Sequence, residues 1–365
     1  MKYKLKDIFD LQMGKTPSRD NVDYWNTNGY KWISIGDLST TEMYISNTKE
    51  HLSEKAVQES RIKLIPRNTV VMSFKLSIGK TAITAEDMYS NEAIMAFHDK
   101  HVVDMLPKYI FYLFKYRDWD KGSNKAVMGK TLNKATLSEI EIELCSLEKQ
   151  KEIVKVLDKI MGSLAGRKSE LLLLDDLIKA RFVELFGNPV LNEKGWESNL
   201  LAQLTLKIGS GATPKGGREA YQEEGIALIR SMNVYNGKFE YKDLAHISDE
   251  QAAKLDNVII KESDVLLNIT GASVARSCVV PNQILPARVN QHVCIIRCKE
   301  CIEPIFLNRL LIDDNYQKLL WEIAGSGATR EAITKQQVER LKIILPPIEL
   351  QNQFADFVRQ VDKSK

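Results

Sequence analysis

The 365-residue sequence predicts an α+β fold: two similar globular domains in pseudo-twofold repeat, joined by a long coiled-coil helix, with a second, short helix at the C-terminus. Three observations predict it. Apolar residues recur every three or four positions through residues 148–187, an ordered series of motifs occurs twice, and strand-like runs alternate with turn signals in each copy. The predicted segments are residues 1–147, 148–187, 188–346 and 347–365.

The first copy supplies the elements of one domain. It opens with an apolar segment and the turn Gly-Lys-Thr-Pro at residues 14–17. An alternating run at residues 31–35 predicts a strand that closes at residues 36–37, and residues 69–74 predict a second strand, followed by a donor-rich loop. Residues 109–114 fit either a helix or a buried strand, because periodicity does not separate the two in so short a run.

The central helix is defined by a seam of apolar residues. Its members are Leu157, Ile160, Leu164, Leu171, Leu174, Ile178 and Leu185. This spacing is typical of a helix that packs against another helix, and small residues at 162 and 166 would let a partner come close. An ordinary core helix shows a similar stripe, but Arg167 and Arg181 interrupt this one, which favours a spacer. Ser146 and Gly187 are the candidate caps, and the helix would be roughly 55 to 60 Å long.

The second copy repeats the first at a shift of about 196 to 201 residues. The turn at 14–17 corresponds to 211–214, and the strand at 70–74 to 265–269. The loop at 77–80 corresponds to 273–276, and residues 91–92 to residues 290–291. At a constant shift of 201, the apolar positions from Leu132 to Leu157 match those from Ile333 to Val358. An ordered series of this kind indicates that each copy is one structural unit.

Composition sets the broad class of protein. A net charge of +3 permits nucleic-acid binding without requiring it, and 44% hydrophobic residues suffice for two cores. No apolar run of about 18 residues occurs, and the charged start lacks an apolar signal core, so we expect a cytoplasmic protein without a membrane partner. Five cysteines, an odd number, fit a reducing compartment.

Motifs that suggest catalysis fail on inspection. Gly-Lys-Thr occurs at residues 14, 79 and 129, but each lacks the glycine five residues earlier that a phosphate-binding loop needs. No Gly-x-Gly loop after a strand and no Asn-Pro-Pro-aromatic or Asp-Pro-Pro-aromatic motif supports a methyltransferase. The five histidines pair with no nucleophile at an informative spacing. We therefore predict no catalytic residues in this chain.

Cys294, Cys298 and Cys301 have the spacing of radical enzymes that hold an iron–sulfur cluster and use S-adenosylmethionine. The first copy has no cysteine around Met95, the corresponding position, and the 64 residues after Cys301 are too few for the barrel of such enzymes. Buried thiols in a strand are the preferred interpretation, and zinc with His292 is the alternative. No metal site is predicted.

Polar residues in the loops after the matched strands point to recognition. Lysine and arginine contact phosphates, whereas asparagine, glutamine and arginine can bond base edges. The candidates are Lys15, Thr16, Ser18, Arg19, Lys75, Ser77, Lys80, Lys125, Lys130, Thr131, Thr213, Lys215, Arg218, Asn268, Thr270, Ser273, Arg276, Asn290, Gln291 and Arg330. Each alone fits an ordinary surface loop, but their recurrence at equivalent places favours DNA binding.

In this layout the sequence resembles the DNA specificity subunits of type I restriction-modification systems. The resemblance spans essentially the whole chain. It rests on the Gly-Lys-Thr-Pro turn, the Val-Val-Met-Ser-Phe and Val-Leu-Leu-Asn-Ile-Thr-Gly strands, Phe-Gly-Asn-Pro at 186–189 and Leu-Pro-Pro-Ile-Glu-Leu-Gln at 345–351. It implies two target-recognition domains, each reading half of a split double-stranded DNA site, and helices that set the spacer and dock two modification subunits.

The resemblance also implies that the chemistry lies in partner subunits. Modification subunits bind S-adenosylmethionine and methylate adenine, restriction subunits use ATP and Mg, and this chain itself binds no cofactor. The sequence departs from the family where residues 144–147 replace the double proline at 346–347, and in its short second helix. A paired-domain scaffold or inhibitor that keeps the fold but binds protein is the alternative, and salt-insensitive binding would favour it.

Overall fold

The computed structural model describes residues 1–75, 77–119, 132–214, 217–325 and 331–365. The chain forms two compact units, unit 1 (Met1–Gly166) and unit 2 (Arg167–Lys365). The strands of unit 1 are β1 (Lys2–Lys4), β2 (Phe9–Met13), β3 (Trp25–Ile33), β4 (Tyr44–Ile45), β5 (Glu50–Leu52), β6 (Val70–Ser73), β7 (Thr81–Thr84), β8 (Tyr89–Ser90), β9 (Ile94–Asp99) and β10 (Glu141–Glu143). Its helices are α1 (Leu5–Ile8), α2 (Ile35–Thr40), α3 (Glu54–Ser60), α4 (Pro107–Lys115) and α5 (Lys134–Ser138), followed by α6 (Leu147–Phe186), which continues into unit 2.

Unit 2 repeats this sequence of elements. Its strands are β11 (Ser198–Leu200), β12 (Thr205–Ser210), β13 (Ile226–Ile229), β14 (Val234–Tyr235), β15 (Lys238–Phe239), β16 (Ala245–Ile247), β17 (Val265–Asn268), β18 (Ser277–Val279), β19 (Ala287–Val289), β20 (Val293–Cys298) and β21 (Lys342–Ile344). Its helices are α7 (Leu201–Leu204), α8 (Asp249–Ala253), α9 (Pro304–Leu311), α10 (Asp314–Gly325), α11 (Lys335–Glu339) and α12 (Ile348–Ser364).

The two units share one strand order. The main sheet is β2-β9-β6-β7-β4 in unit 1 and β12-β20-β17-β18 in unit 2, and the first three pairings of each are antiparallel. A smaller sheet accompanies each main sheet, β5-β3-β8 or β16-β13-β19, with one antiparallel and one parallel pairing. The motifs repeated in the sequence therefore form the same strands with the same directions, as the predicted repeat requires.

Each main sheet is buried on both faces. In unit 1, Val70 and Met72 of β6 belong to one core cluster, while Val71 between them belongs to another. In unit 2, Val265 and Leu266 divide in the same way. Successive side chains of a strand point to opposite faces, so burial on both faces explains why these strands are continuously apolar.

The beginning of α2 corrects one predicted boundary. Residues 36–37 were expected to close a strand, but β3 ends at Ile33 and a helix follows. The Ser34 hydroxyl accepts from the Asp37 amide at 3.3 Å, and the Asp37 carboxylate accepts from the Ser34 amide at 2.8 Å. These reciprocal bonds satisfy the free amides of the first turn. The open alternative at residues 109–114 resolves to a helix, α4.

The predicted long helix is confirmed as α6, which has 40 residues. The Ser146 carbonyl accepts from the Gln150 amide at 2.9 Å where α6 begins. The helix ends at Gly187, whose φ of +74° and bond to the Val183 carbonyl at 2.8 Å form a left-handed C-terminal cap. Among the described residues, no helix combines the length and the apolar character needed to cross a membrane.

The seam along α6 is buried only in part. In unit 2, Ile178 is fully buried, and Leu174 and Leu185 pack against the same core cluster, which also contains Phe354 of α12. In unit 1, Leu157 packs at the edge of the core. Leu171 is intermediate in exposure. The end of α12 is fixed to α6 because the Arg167 guanidinium donates to the carbonyls of Ser364 and Lys365 at 3.1 and 3.0 Å.

The middle of the predicted seam is exposed in this chain. Ile160 and Leu164 are 49% and 53% exposed. A Cβ added at Gly162 or Gly166 would meet no described atom within 4 Å. Within the described part of the chain, these small residues therefore do not receive a close partner helix, and the packing of the seam against another helix stays a prediction.

Candidate nucleic-acid interface

Three loops meet at one end of the main sheet in each unit. In unit 1, β2 ends beside the start of β9, with Met13 opposite Met95, and β6 ends beside the same strand, with Ser73 opposite Ile94. The loop from β6 to β7 leaves and returns at this end as well. We call this side of each main sheet the loop end. The corresponding strands of unit 2 have the same directions, so its loops meet in the same way.

In both units, the loop that follows β2 or β12 crosses the loop that precedes β9 or β20, and the crossing residue is a glycine. The amide of Gly14 donates to the Ile94 carbonyl at 3.1 Å, and that of Gly211 donates to the Asn290 carbonyl at 3.1 Å. A Cβ would lie 2.2 Å from the Asn91 carbonyl oxygen at Gly14, and 1.7 Å from the Val289 carbonyl oxygen at Gly211. Backbone fills the space of a side chain, so only glycine fits either crossing.

Threonine and asparagine side chains fix this crossing further. The Thr16 hydroxyl donates to the Glu92 carboxylate and accepts from the side-chain amide of Asn91 at 3.3 Å. In unit 2, the Thr213 hydroxyl donates to the Gln291 side-chain carbonyl. The Asn290 amide donates to the Ile229 carbonyl at 3.0 Å, and the Asn290 side chain is only 5% exposed. The candidates that hold the loops together are thus Thr16, Thr213, Asn290 and Gln291. Of these, Asn290 presents little polar surface.

Unit 2 extends the network through His292. The Gln291 amide nitrogen lies 3.2 Å from His292 Nε2, and the Thr270 hydroxyl lies 2.5 Å from His292 Nδ1. If the glutamine amide donates to Nε2, the proton of a neutral ring is on Nδ1 and is donated to Thr270. The predicted residues Thr213, Gln291 and Thr270 are therefore brought into one hydrogen-bonded chain.

The hairpin loops after β6 and β17 share one backbone feature near their ends. Gly79 has a φ of +89°, and Ala275 at the equivalent position has a φ of +70°. The Gly79 amide donates to the Ser73 carbonyl at 2.9 Å, and the Ala275 amide donates to the Asn268 carbonyl at 2.9 Å. Ser77 takes part through its carbonyl, which accepts from the Ser73 hydroxyl. Lys80 and Arg276 directly follow these two residues and therefore occupy equivalent positions.

Asn268 is not placed as the sequence suggested. It was a candidate for base contacts, but its side chain is fully buried. Its amide nitrogen donates to the Ser231 carbonyl at 2.8 Å and to the Ser273 hydroxyl at 3.2 Å. In this conformation Asn268 ties two loops together and does not reach a base, because the last residue of β17 points inward.

The candidate cations of unit 1 have partners on the protein. Lys15 Nζ donates to the Ser60 carbonyl at 2.7 Å, and Lys80 Nζ donates to the Ser39 hydroxyl at 2.6 Å. Arg19 forms a bidentate pair with Glu50 and lies 3.8 Å from the Trp25 ring centre. Surface pairs of this kind contribute little stability, so these cations remain available to phosphates. The other two candidates are Ser18, which is exposed, and Lys75, which lies 5.5 Å from the Phe74 ring centre.

Several candidates lie outside the described residues: Lys125, Lys130, Thr131, Lys215, Arg330 and the side chain of Arg218. Their described neighbours lie at the loop end. The Leu132 amide donates to the Phe74 carbonyl at 3.2 Å in unit 1. The Gly271 amide donates to the Glu331 carbonyl at 2.9 Å in unit 2.

Sequence reasoning missed Arg230, which follows β13 at the loop end. Its backbone amide donates to the Asn233 side chain at 3.1 Å, as the amide of Ser34 donates to Asp37 in unit 1. Arg230 is therefore the structural counterpart of Ser34. The shift of 196 residues aligns these positions, but a strand-end residue with different chemistry in each copy carries no repeated signal.

The cysteine cluster is divided between core and surface. Cys294 is buried, Cys298 is intermediate and Cys301 is exposed. Burial raises the pKa of the Cys294 and Cys298 thiols to about 12. Such thiols stay protonated near neutral pH, whereas metals bind thiolates. Within the described ranges, no group of three histidine, cysteine or acidic side chains is arranged to hold a metal.

Comparison with known proteins gives relatives of one kind. The chain is 26% identical to the type I restriction enzyme MjaIX specificity subunit of Methanocaldococcus jannaschii, over 98% of this chain and 85% of the relative. A match of 26% covers 40% of this chain and 37% of the Escherichia coli EcoR124I/EcoR124II specificity subunit.

Solved structures share the fold. The S subunit of a type I restriction-modification system from M. genitalium aligns with a TM-score of 0.58 at 14% identity, over 100% of this chain and 89% of that one. A chain from a study of type I restriction-modification complex assembly aligns with a TM-score of 0.57 at 19% identity, over 100% and 90%. The family model for the type I restriction modification DNA specificity domain matches residues 1–172 and 193–365, and the chain belongs to this family.

Proposed function

We propose that this chain is the non-catalytic, sequence-specific DNA-binding subunit of a type I restriction-modification system. Each unit reads one half of a bipartite site through its loop end. The observation that carries the proposal is that both units hold the corresponding loops by several of the same backbone contacts while differing in polar side chains, such as Lys80 and Arg276. A constant frame with different side chains suits two readers of two different sequences.

Partner subunits supply the chemistry in this proposal. Two modification subunits, with S-adenosylmethionine, methylate adenine in the site, and restriction subunits use ATP and Mg to cut DNA. The relatives named as specificity subunits support this division of labour. Helix α6 is the proposed spacer between the half-sites, because 40 residues at about 1.5 Å each give a rigid length of about 60 Å.

Methylome sequencing tests the proposal directly. Cells that express this chain with the modification subunits of its system should carry methylated adenines in two short sequences separated by a fixed gap. Cells that express the modification subunits without this chain are the control and should lack the mark. A continuous or palindromic motif, or methylation that does not depend on this chain, would contradict the proposal.

A further inference from the structure

Two segments at the loop end of unit 2 are held against each other. Asn268 bonds the Ser231 carbonyl on one side and the Ser273 hydroxyl on the other. The Ser277 amide also donates to the Asn236 side chain at 3.3 Å. Residues 230–236 therefore lie beside the hairpin loop at 269–276, and the positions of both segments are fixed together.

Each segment carries an arginine over the ring of a tyrosine. The guanidinium carbon of Arg230 lies 5.2 Å from the Tyr221 ring centre, and that of Arg276 lies 4.6 Å from the Tyr235 ring centre. An aromatic ring attracts a guanidinium cation to its face without using the N–H donors of the guanidinium. Arg230, Tyr221, Arg276 and Tyr235 are called the arginine–tyrosine patch.

The patch has positive charge that the described part of the protein does not neutralise. Elsewhere in unit 2, Arg288, Arg297 and Arg359 pair with carboxylates at 2.9, 2.8 and 2.8 Å. Neither arginine of the patch has a carboxylate within 4.0 Å among the described residues. Arg230 donates to the Asp243 carbonyl, but its buried Nε has no hydrogen-bond partner there. A buried donor without an acceptor costs free energy, so an acceptor on a ligand that draws the side chain outward is favoured.

At the positions that correspond to Arg230 and Arg276, the described part of unit 1 carries no arginine. The counterpart of Arg230 is Ser34, which caps α2, and the counterpart of Arg276 is Lys80, which donates to Ser39. A lysine is a point charge, whereas a guanidinium presents parallel donors with a fixed spacing. The two units therefore offer different chemistry at the same place of the same frame.

We propose that the arginine–tyrosine patch reads guanine in the DNA half-site bound by unit 2; this rests on the proposed function. Guanine offers two acceptors, O6 and N7, side by side in the major groove, and the two parallel donors of an arginine match them. The proposal assigns a base preference to one half-site and identifies the side chains that produce it.

Methylomes of four variants test this: Arg230→Gln, Arg276→Gln, the double variant and Arg340→Gln. The control, Arg340, is an exposed arginine after α11 without a carboxylate partner among the described residues, away from the loop end. In the patch variants we expect one half-site to relax at a guanine, with discrimination against other bases falling about ten-fold to a hundred-fold. The other half-site and the spacer should not change, and the control should match the wild type.

Three results would overturn guanine reading. The first is an unchanged motif in a double variant that methylates normally, and the second is a wild-type motif without a G·C pair in either half-site. The third is a loss of methylation in the glutamine double variant that is reversed, with an unchanged motif, when lysine replaces both arginines. Positive charge alone would then suffice for binding. If glutamine variants do not fold, as thermal melting would reveal, the lysine variants must relax the same base. A wild-type methylome without a split motif would instead contradict the proposed function.

Discussion

At the scale of single residues, the loop end depends on backbone crossings. Gly14 and Gly211 occupy equivalent positions, and each crosses a strand end so closely that a methyl group would meet a carbonyl oxygen. Backbone cannot move aside as a flexible side chain can. These glycines are therefore required for packing.

We expect Gly14→Ala and Gly211→Ala each to destabilise its unit by about 2 kcal/mol or more, since overpacking against backbone costs about 1 to 3 kcal/mol. Thermal denaturation of the purified chain would measure the effect. Gly209→Ala is the matched control, because an added Cβ there meets no described atom within 4 Å and its φ is not positive. Equal melting temperatures for Gly211→Ala and Gly209→Ala would refute the crossing argument.

At the scale of elements, α6 combines two anchored ends with an exposed middle. Its C-terminal part packs aromatic rings against unit 2, with Phe186 and Phe306 centres 4.7 Å apart. Gly162 and Gly166 themselves meet no described neighbour where a Cβ would lie, and glycine is unfavourable in a helix interior. The middle of α6 is thus the part of the helix whose sequence the packing of this chain constrains least.

Gly162→Ala should stabilise the free chain by about 1 kcal/mol, because alanine is favoured over glycine by that amount in a helix interior and the site is open. Chemical denaturation would measure the change. Gly195→Ala is the control, since its site is equally open but its φ of +69° disfavours a side chain. A loss of stability in Gly162→Ala would mean that the helix is not regular at this point.

Insertion or deletion of one helical turn between Gly162 and Gly166 should alter the spacer and leave both half-site sequences unchanged. The reason is that the loop ends, which we propose read the bases, lie outside α6. Methylome sequencing of the variants would report spacer and half-sites together. A change in the half-sites at a constant spacer would show that α6 does not set the distance.

At the scale of the whole molecule, two loop ends with several cations should make DNA binding strongly salt-dependent. For about six phosphate contacts, we expect affinity to fall about a thousand-fold between roughly 50 and 200 mM salt. Fluorescence anisotropy with a duplex that carries the methylated motif would measure this. A salt-insensitive complex would count against phosphate recognition.

The sequence predicted the two-unit architecture because the repeat appears in types of residue that fold in one way, such as the apolar run at Val70 and its counterpart at Val265. It did not predict how individual polar residues are used. Asn268 ends β17 and Arg276 immediately precedes β18, and both look suited to contact a base, yet one is buried and the other lies over the Tyr235 ring. Whether such a side chain points into the core or towards solvent depends on contacts with residues distant in sequence, and periodicity does not report those contacts.

The capping arrangement at Ser34 and Arg230 has a consequence for how targets change during evolution. The loop frame is fixed by main-chain hydrogen bonds, such as those from the amides of Asn91 and Asn290 to the carbonyls of Ile33 and Ile229, each 3.0 Å long. A main-chain bond survives nearly any substitution of its own side chain. The equivalent position holds Ser34 in unit 1 and Arg230 in unit 2. New sequence preferences can therefore accumulate by point substitution without a loss of folding.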